Sequence, residues 1–110
     1  MQVLHALDFV DRGTPDVTLI QAVADGTDAK AVLITTDKAM RTRTHERAAF
    51  TETGCIGIVL RGHWNHASLW DRARLSLLWW STWTKQARQA QPGTLWLCPW
   101  SERPKALKMF

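Results

Sequence analysis

An α/β fold, a small parallel sheet flanked by helices, is predicted by three features of this 110-residue chain. Two short apolar runs, Ala31-Val32-Leu33-Ile34 and Cys55-Ile56-Gly57-Ile58-Val59-Leu60, are continuous rather than alternating, as in strands covered on both faces. Around them, apolar residues recur at helical spacing. Strands that alternate with helices are joined by crossovers and pair in parallel.

The elements follow in order. Residues 2–7 read as a first short strand and residues 8–13 as a loop. Thr14-Pro15-Asp16 opens a helix, with a hydroxyl suited to the N-cap, proline at the first helical position and an acid where the dipole favours it. Val17, Ile20, Val23 and Ala24 line one face of that helix, and Gly26 suits its C-terminal cap. A buried strand over residues 31–34 then leads into Thr35-Thr36-Asp37-Lys38. Residues 44–53 form a second helix whose apolar positions are Ala48, Ala49 and Phe50, stopped by Gly54. The strand at 55–60 and a loop at 61–66 lead to a long helix over about residues 67–90. There Leu69, Ala73, Leu77, Trp80, Thr84 and Ala87 fall on one stripe, expected to face the core. Pro92-Gly93 ends it, residues 94–98 form a final strand, and residues 105–108 are a tail or an edge strand. With no internal repeat or linker, residues 1–110 make a single domain.

Composition narrows the class. The chain is 45% hydrophobic and 22% charged, as in globular proteins, which argues against disorder. No stretch approaches the roughly 20 apolar residues of a membrane span, and the opening residues lack a basic start and cleavage site, so a cytoplasmic protein without membrane contact is expected. Cys55 and Cys98 have no Cys-x-x-Cys spacing and read as buried reduced thiols. The net charge of +4 is segregated: within residues 1–37, Asp8, Asp11, Asp16, Asp25, Asp28 and Asp37 oppose only Arg12 and Lys30, giving −4 and leaving +8 for the remainder. Acidic groups facing basic ones suit a metal-dependent nuclease, although solubility alone explains the same balance.

Asp37 is the most informative residue, because the apolar run delivers it to the C-terminal end of a strand, where open α/β sheets collect ligands. A carboxylate there holds a cation beside phosphate-binding arginines, or caps a turn. Lys38, Arg41, Arg43 and Arg47 follow directly and are candidate nucleic-acid contacts; a solvated basic loop is the alternative. Asp16 is explained equally by the helix dipole, and Glu46 is expected to pair with Arg43 or Arg47, with membership of the acidic site as the alternative. His63 and His66 lack a third metal-ligating neighbour, and His45 is a surface or helix-start residue.

Thr35-Thr36-Asp37-Lys38, the downstream Arg41-Thr42-Arg43-Thr44-His45-Glu46-Arg47, Gly54, the strand at 56–60 and the helix opened by Asp16 together resemble the core of PIN-like ribonuclease toxins of the VapC type. The likeness runs over residues 4–60 and, more loosely, through the long helix. It implies a Mg²⁺- or Mn²⁺-dependent endoribonuclease of a toxin–antitoxin pair, in which carboxylates from separate elements hold the cation. Asp37 and Asp16 match acidic positions of that pattern as catalytic residues and metal ligands, and Asp8 is a third candidate ligand. The family opens with a strand carrying an aspartate and then a helix, and no residue here matches that unit, so a domain lacking its N-terminal strand and helix is expected. The alternatives are a catalytically inactive PIN-like interaction module that binds an antitoxin, RNA or a second chain, and a simple RNA-binding protein.

The seven tryptophans, with no tyrosine, are assigned mainly to core and interface, with base stacking as the alternative. Trp70 and Trp79 lie off the stripe of the long helix, which therefore has apolar residues on more than one side. A cognate antitoxin or a second copy in a homo-oligomer is the expected cover.

Overall fold

The computed structural model describes residues 16–25, 30–36 and 44–110, with Asp16 described as backbone. Their elements are α1 (Asp16–Asp25), β1 (Val32–Thr35), α2 (Thr44–Thr53), β2 (Ile56–Leu60), a 3-10 turn (Gly62–Asn65), α3 (Leu69–Gln89), β3 (Leu95–Cys98) and β4 (Lys108–Met109). The sheet has the order β1-β2-β3-β4, with β1, β2 and β3 parallel and β4 antiparallel at one edge. The α/β class and the parallel sheet are as expected, and the terminal segment is an edge strand. The strand read at residues 2–7, the loop at 8–13, the cap at Thr14-Pro15 and Gly26 lie outside the described residues.

β2 is buried along its whole length, as its continuous apolar run requires. In register, Val32 faces Ile56 on one side, and Gly57 faces Leu95 on the other. One face of the sheet packs on α3 through Ile58, Leu60 and Cys98, which join Trp64, Leu75, Trp79, Trp83 and Leu107. On the other side α1 and α2 supply Ile20, Ala49 and Phe50, which meet Cys55 and Leu95, with Val17, Val23 and Ala24 partly buried against them. Three layers result, with helices on both faces.

Two expectations need correction. β1 is only half buried, and Ile34 is exposed, because among the described strands β1 pairs on one side only. More consequentially, α3 is rotated from the expected stripe. Leu75, Trp79 and Trp83 face the core, whereas Leu69, Leu77 and Trp80 are exposed. Both stripes have helical spacing, so periodicity alone does not choose between them. The choice follows from indole N–H groups that must find acceptors when buried. Trp79 Nε1 donates to Ser101 O at 2.8 Å and Trp83 Nε1 to Cys98 Sγ at 3.3 Å, and beside them Trp64 Nε1 donates to Pro99 O at 2.9 Å, all at the end of β3 or just beyond it.

Capping fixes the ends of α3. The Ser68 hydroxyl accepts from Asp71 N at 3.1 Å, and Asp71 adds an acid to the first turn. At the other end the Lys30 ammonium donates to the carbonyls of Ala87, Arg88 and Ala90 at 2.9, 3.1 and 3.2 Å, answering orphan acceptors and the negative end of the dipole. The helix after β2 thus runs back toward the residues that precede β1.

The turns after α2 and α3 are locked together. Gly54, at φ 76°, donates to Phe50 O, and Gly93 N donates to Gly54 O at 3.1 Å. Gly93 has φ 80°, and a Cβ there would lie 2.9 Å from Phe50 O and Thr51 Cα, both backbone atoms. Gly93→Ala is therefore expected to destabilise the fold by about 2 kcal/mol, the scale of a strained left-handed residue. The check is a lower urea midpoint at unchanged m; an unchanged midpoint would contradict the close approach.

Candidate functional site

The parallel strands define a common edge. β1 ends at Thr35, β2 at Leu60 and β3 at Cys98, and Arg61 N donates to Cys98 O at 2.8 Å just beyond the last two. Open α/β sheets bind ligands outside the carboxyl ends of their strands, because helix N-termini and loops converge there. α3 starts at this edge, since Lys30 fixes its C-terminal end near the start of β1. α1 precedes β1 in the chain and packs against it.

Of the residues singled out in the sequence, Asp37 follows β1 by two positions and, with Asp8, Lys38, Arg41 and Arg43, lies outside the described residues. Asp16 is the first residue of α1. Arg47 is exposed on α2, with its guanidinium carbon 4.7 Å from the centroid of the Phe110 ring, a cation–π stack that ties the basic segment to the C-terminal strand. Glu46 beside it is 4% exposed. His45 is exposed on the first turn of α2. All the candidate metal ligands are carboxylates, a hard oxygen donor set that fits Mg²⁺ or Mn²⁺. Among the described residues, no three His, Cys, Asp or Glu side chains are grouped to hold a metal ion.

The edge also carries residues that the sequence reading passed over. The rings of His63 and Trp100 meet at 75° with centroids 5.2 Å apart, and Trp64 packs against Trp100 at 85° and 5.0 Å. Arg61, His63, His66, Arg103 and Lys105 are exposed around them. The reasoning applied to Asp37, that side chains just past a buried strand sit at the ligand edge, applies equally to Arg61 after β2 and Trp100 after β3.

Among the described residues, the edge at the strand ends carries the exposed basic side chains of Arg61 and Arg103. A family model described as a PIN-like domain matches residues 1–62, more than half of the chain, and the protein belongs to that family. The match spans α1 through β2 and the residues between them, while α3, β3 and β4 lie beyond it. Comparison with curated proteins and with solved structures gives no match. No helix among the described residues is long and apolar enough to cross a membrane.

The two cysteines are free and buried, as expected. Burial pushes both thiols up from the ordinary 9.0 to about 11, against smaller opposing hydrogen bonds that involve Leu33 for Cys55 and Trp83 for Cys98. Neither is a thiolate nucleophile at neutral pH. Because each thiol has a higher pKa folded than unfolded, the native state holds its protons longer, so stability is complete below pH 9 and falls between pH 9 and about 11. The loss is on the order of 2–3 kcal/mol per thiol. Cys55→Ser and Cys98→Ala should each flatten that alkaline slope in urea titrations run at successive pH values, and an unaltered slope would show that other groups produce it.

Proposed function

We propose that the protein is a metal-dependent endoribonuclease of the toxin–antitoxin type. The observation that carries the reading is a coincidence within one segment. The PIN-like match at residues 1–62 contains Asp8, Asp16 and Asp37 together with Lys38, Arg41, Arg43 and Arg47, and in the sequence Asp37 comes two residues after the end of β1, where α/β domains take ligands.

In this mechanism Asp37 and Asp16, with Asp8 as a third ligand, would hold a Mg²⁺ or Mn²⁺ ion, which when bound would supply a Lewis acid to activate water and offset phosphate charge. Lys38, Arg41 and Arg43 grip the RNA backbone by its phosphates, and Arg47, stacked on Phe110, presents a fixed positive charge from α2. The exposed Arg61, His63 and Arg103 extend the basic edge along which a single strand runs. A cognate antitoxin is the proposed protein partner.

A second reading, a PIN-like interaction module without catalysis, draws on a different observation: the exposed apolar residues of α3, outside the family match, suit contact rather than chemistry. Metal dependence separates the two. Cleavage of a labelled RNA is expected to fall by about 100-fold or more in EDTA and in Asp37→Asn, whereas a module binds its partner unchanged by either. Removing Lys38, Arg41 and Arg43 together should lower the salt slope of RNA binding by about 0.7 per lost phosphate contact. Cleavage at full rate in EDTA excludes the metal mechanism.

A further inference from the structure

Just beyond the parallel strands, the turn after β2 and the segment after β3 lie side by side, since Arg61 N donates to Cys98 O at 2.8 Å. Both carry cations without counter-charges. Arg61, Arg103 and Lys105 are exposed and form no ion pair with the described residues. Glu102, the only acidic side chain within residues 61–70 and 99–110, is held by Arg74 at 2.8 Å. Beside these charges His63 and Trp100 meet edge to face, at 75° with centroids 5.2 Å apart, and the buried Trp64 braces Trp100 at 85° and 5.0 Å. Gly62, at φ 71°, turns the chain between Arg61 and His63, and a Cβ there would lie 3.8 Å from that of Trp100. An edge-to-face contact covers at most one face of the imidazole, and His63 is exposed, so its other face is open to solvent. Trp64, Trp79, Trp83 and Trp96 all donate their indole N–H within the chain, whereas that of Trp100 has no acceptor among the described residues.

We propose that this edge binds one unpaired nucleobase of an RNA strand, stacked on His63 beside Trp100, with Arg61 and Arg103 on the flanking phosphates. The site rests on the reading of RNA as the ligand and adds to it a base contact away from the acidic segment; of its four residues, only Arg61 falls within the family match. Cations alone would serve any polyanion, an acidic peptide included. A ring already held by its neighbours, however, loses little freedom when a flat partner stacks on it. A base also brings the carbonyl oxygens and ring nitrogens that an unused indole donor needs. Inside a duplex both faces of a base are covered, so the strand that fits is single.

The test is binding of a fluorescein-labelled single-stranded RNA of about 12 nucleotides to the full chain, followed by anisotropy in EDTA, where no metal-dependent cleavage competes. An abasic strand of equal length and charge supplies the electrostatic reference. The RNA should bind about 10-fold more tightly than the abasic strand, the effect of one stacked base. His63→Ala should abolish that preference without changing affinity for the abasic strand, and His63→Phe should restore it, both with the far-UV circular dichroism of the parent. Trp100→Phe, which keeps a ring and removes the donor, should reduce the preference by about 5-fold. Arg61→Gln with Arg103→Gln should weaken both strands alike and lower the salt slope by about 0.7 per lost contact. Equal affinity for the two strands overturns the proposal, as does a preference that survives His63→Ala. A polyglutamate peptide that displaces the RNA at equal charge overturns the assignment to nucleic acid. Base preference without cleavage in Mg²⁺ upholds this site and removes the ribonuclease reading, and cleavage without base preference does the reverse.

Discussion

The structure depends on one constraint: β2 pairs on both sides and is buried on both faces. A parallel strand in that position cannot use water to satisfy its backbone or to solvate its side chains, so helices must cover both faces of the sheet. α1 and α2 do this on one side and α3 on the other, and Gly57 marks how tightly the first side closes. A Cβ at Gly57 would collide with the Leu95 side chain and press on Phe50. The crossovers that bring the helices over the sheet also make β1, β2 and β3 run the same way, and this alone gathers their ends at one edge.

That edge explains why the charge segregation of the chain has functional weight. The acidic early third leads through α1 and β1, and the basic remainder supplies Arg47 on α2 and Arg61 and Arg103 after β2 and β3. Phe110 contributes from the far end, since its backbone N–H bonds Leu95 O at 3.0 Å while its ring lies under the Arg47 guanidinium. The last residue of the chain thus steadies a cation that the family match places inside its own segment.

The tryptophans divide between two tasks along α3. Trp79 and Trp83, with Trp64, are core side chains whose N–H groups anchor the segment leaving β3, and Trp80 meets Trp83 at 65° on the flank. A single helix about 10 Å wide spans a four-stranded sheet some 19 Å across only with side chains of this size. Trp70 and Leu77 are exposed and take no part in that packing.

Much of the fold was legible because its signals are local. A continuous apolar run marks a doubly buried strand, and α2 occupies residues 44–53 as read, since its apolar positions and Gly54 stop lie within a few residues of one another. The likeness to PIN-like domains was legible on the same terms, over residues 4–60, and the family match over residues 1–62 bears it out at the level of a PIN-like domain. Which face of α3 turns inward was not legible. Leu69-Ala73-Leu77-Trp80 and Leu75-Trp79-Trp83 have equally helical spacing, and the decision rested on the Ser101 carbonyl and the Cys98 thiol, fifteen or more residues away. Nor did periodicity show that β1 is half exposed or that Lys30 caps α3 across 57 residues of chain. The sequence by itself determined which segments are strands and helices, because backbone preference and burial pattern are written within each segment. Only the tertiary structure decided which of two apolar faces is core, because that depends on hydrogen-bond partners supplied by distant parts of the chain.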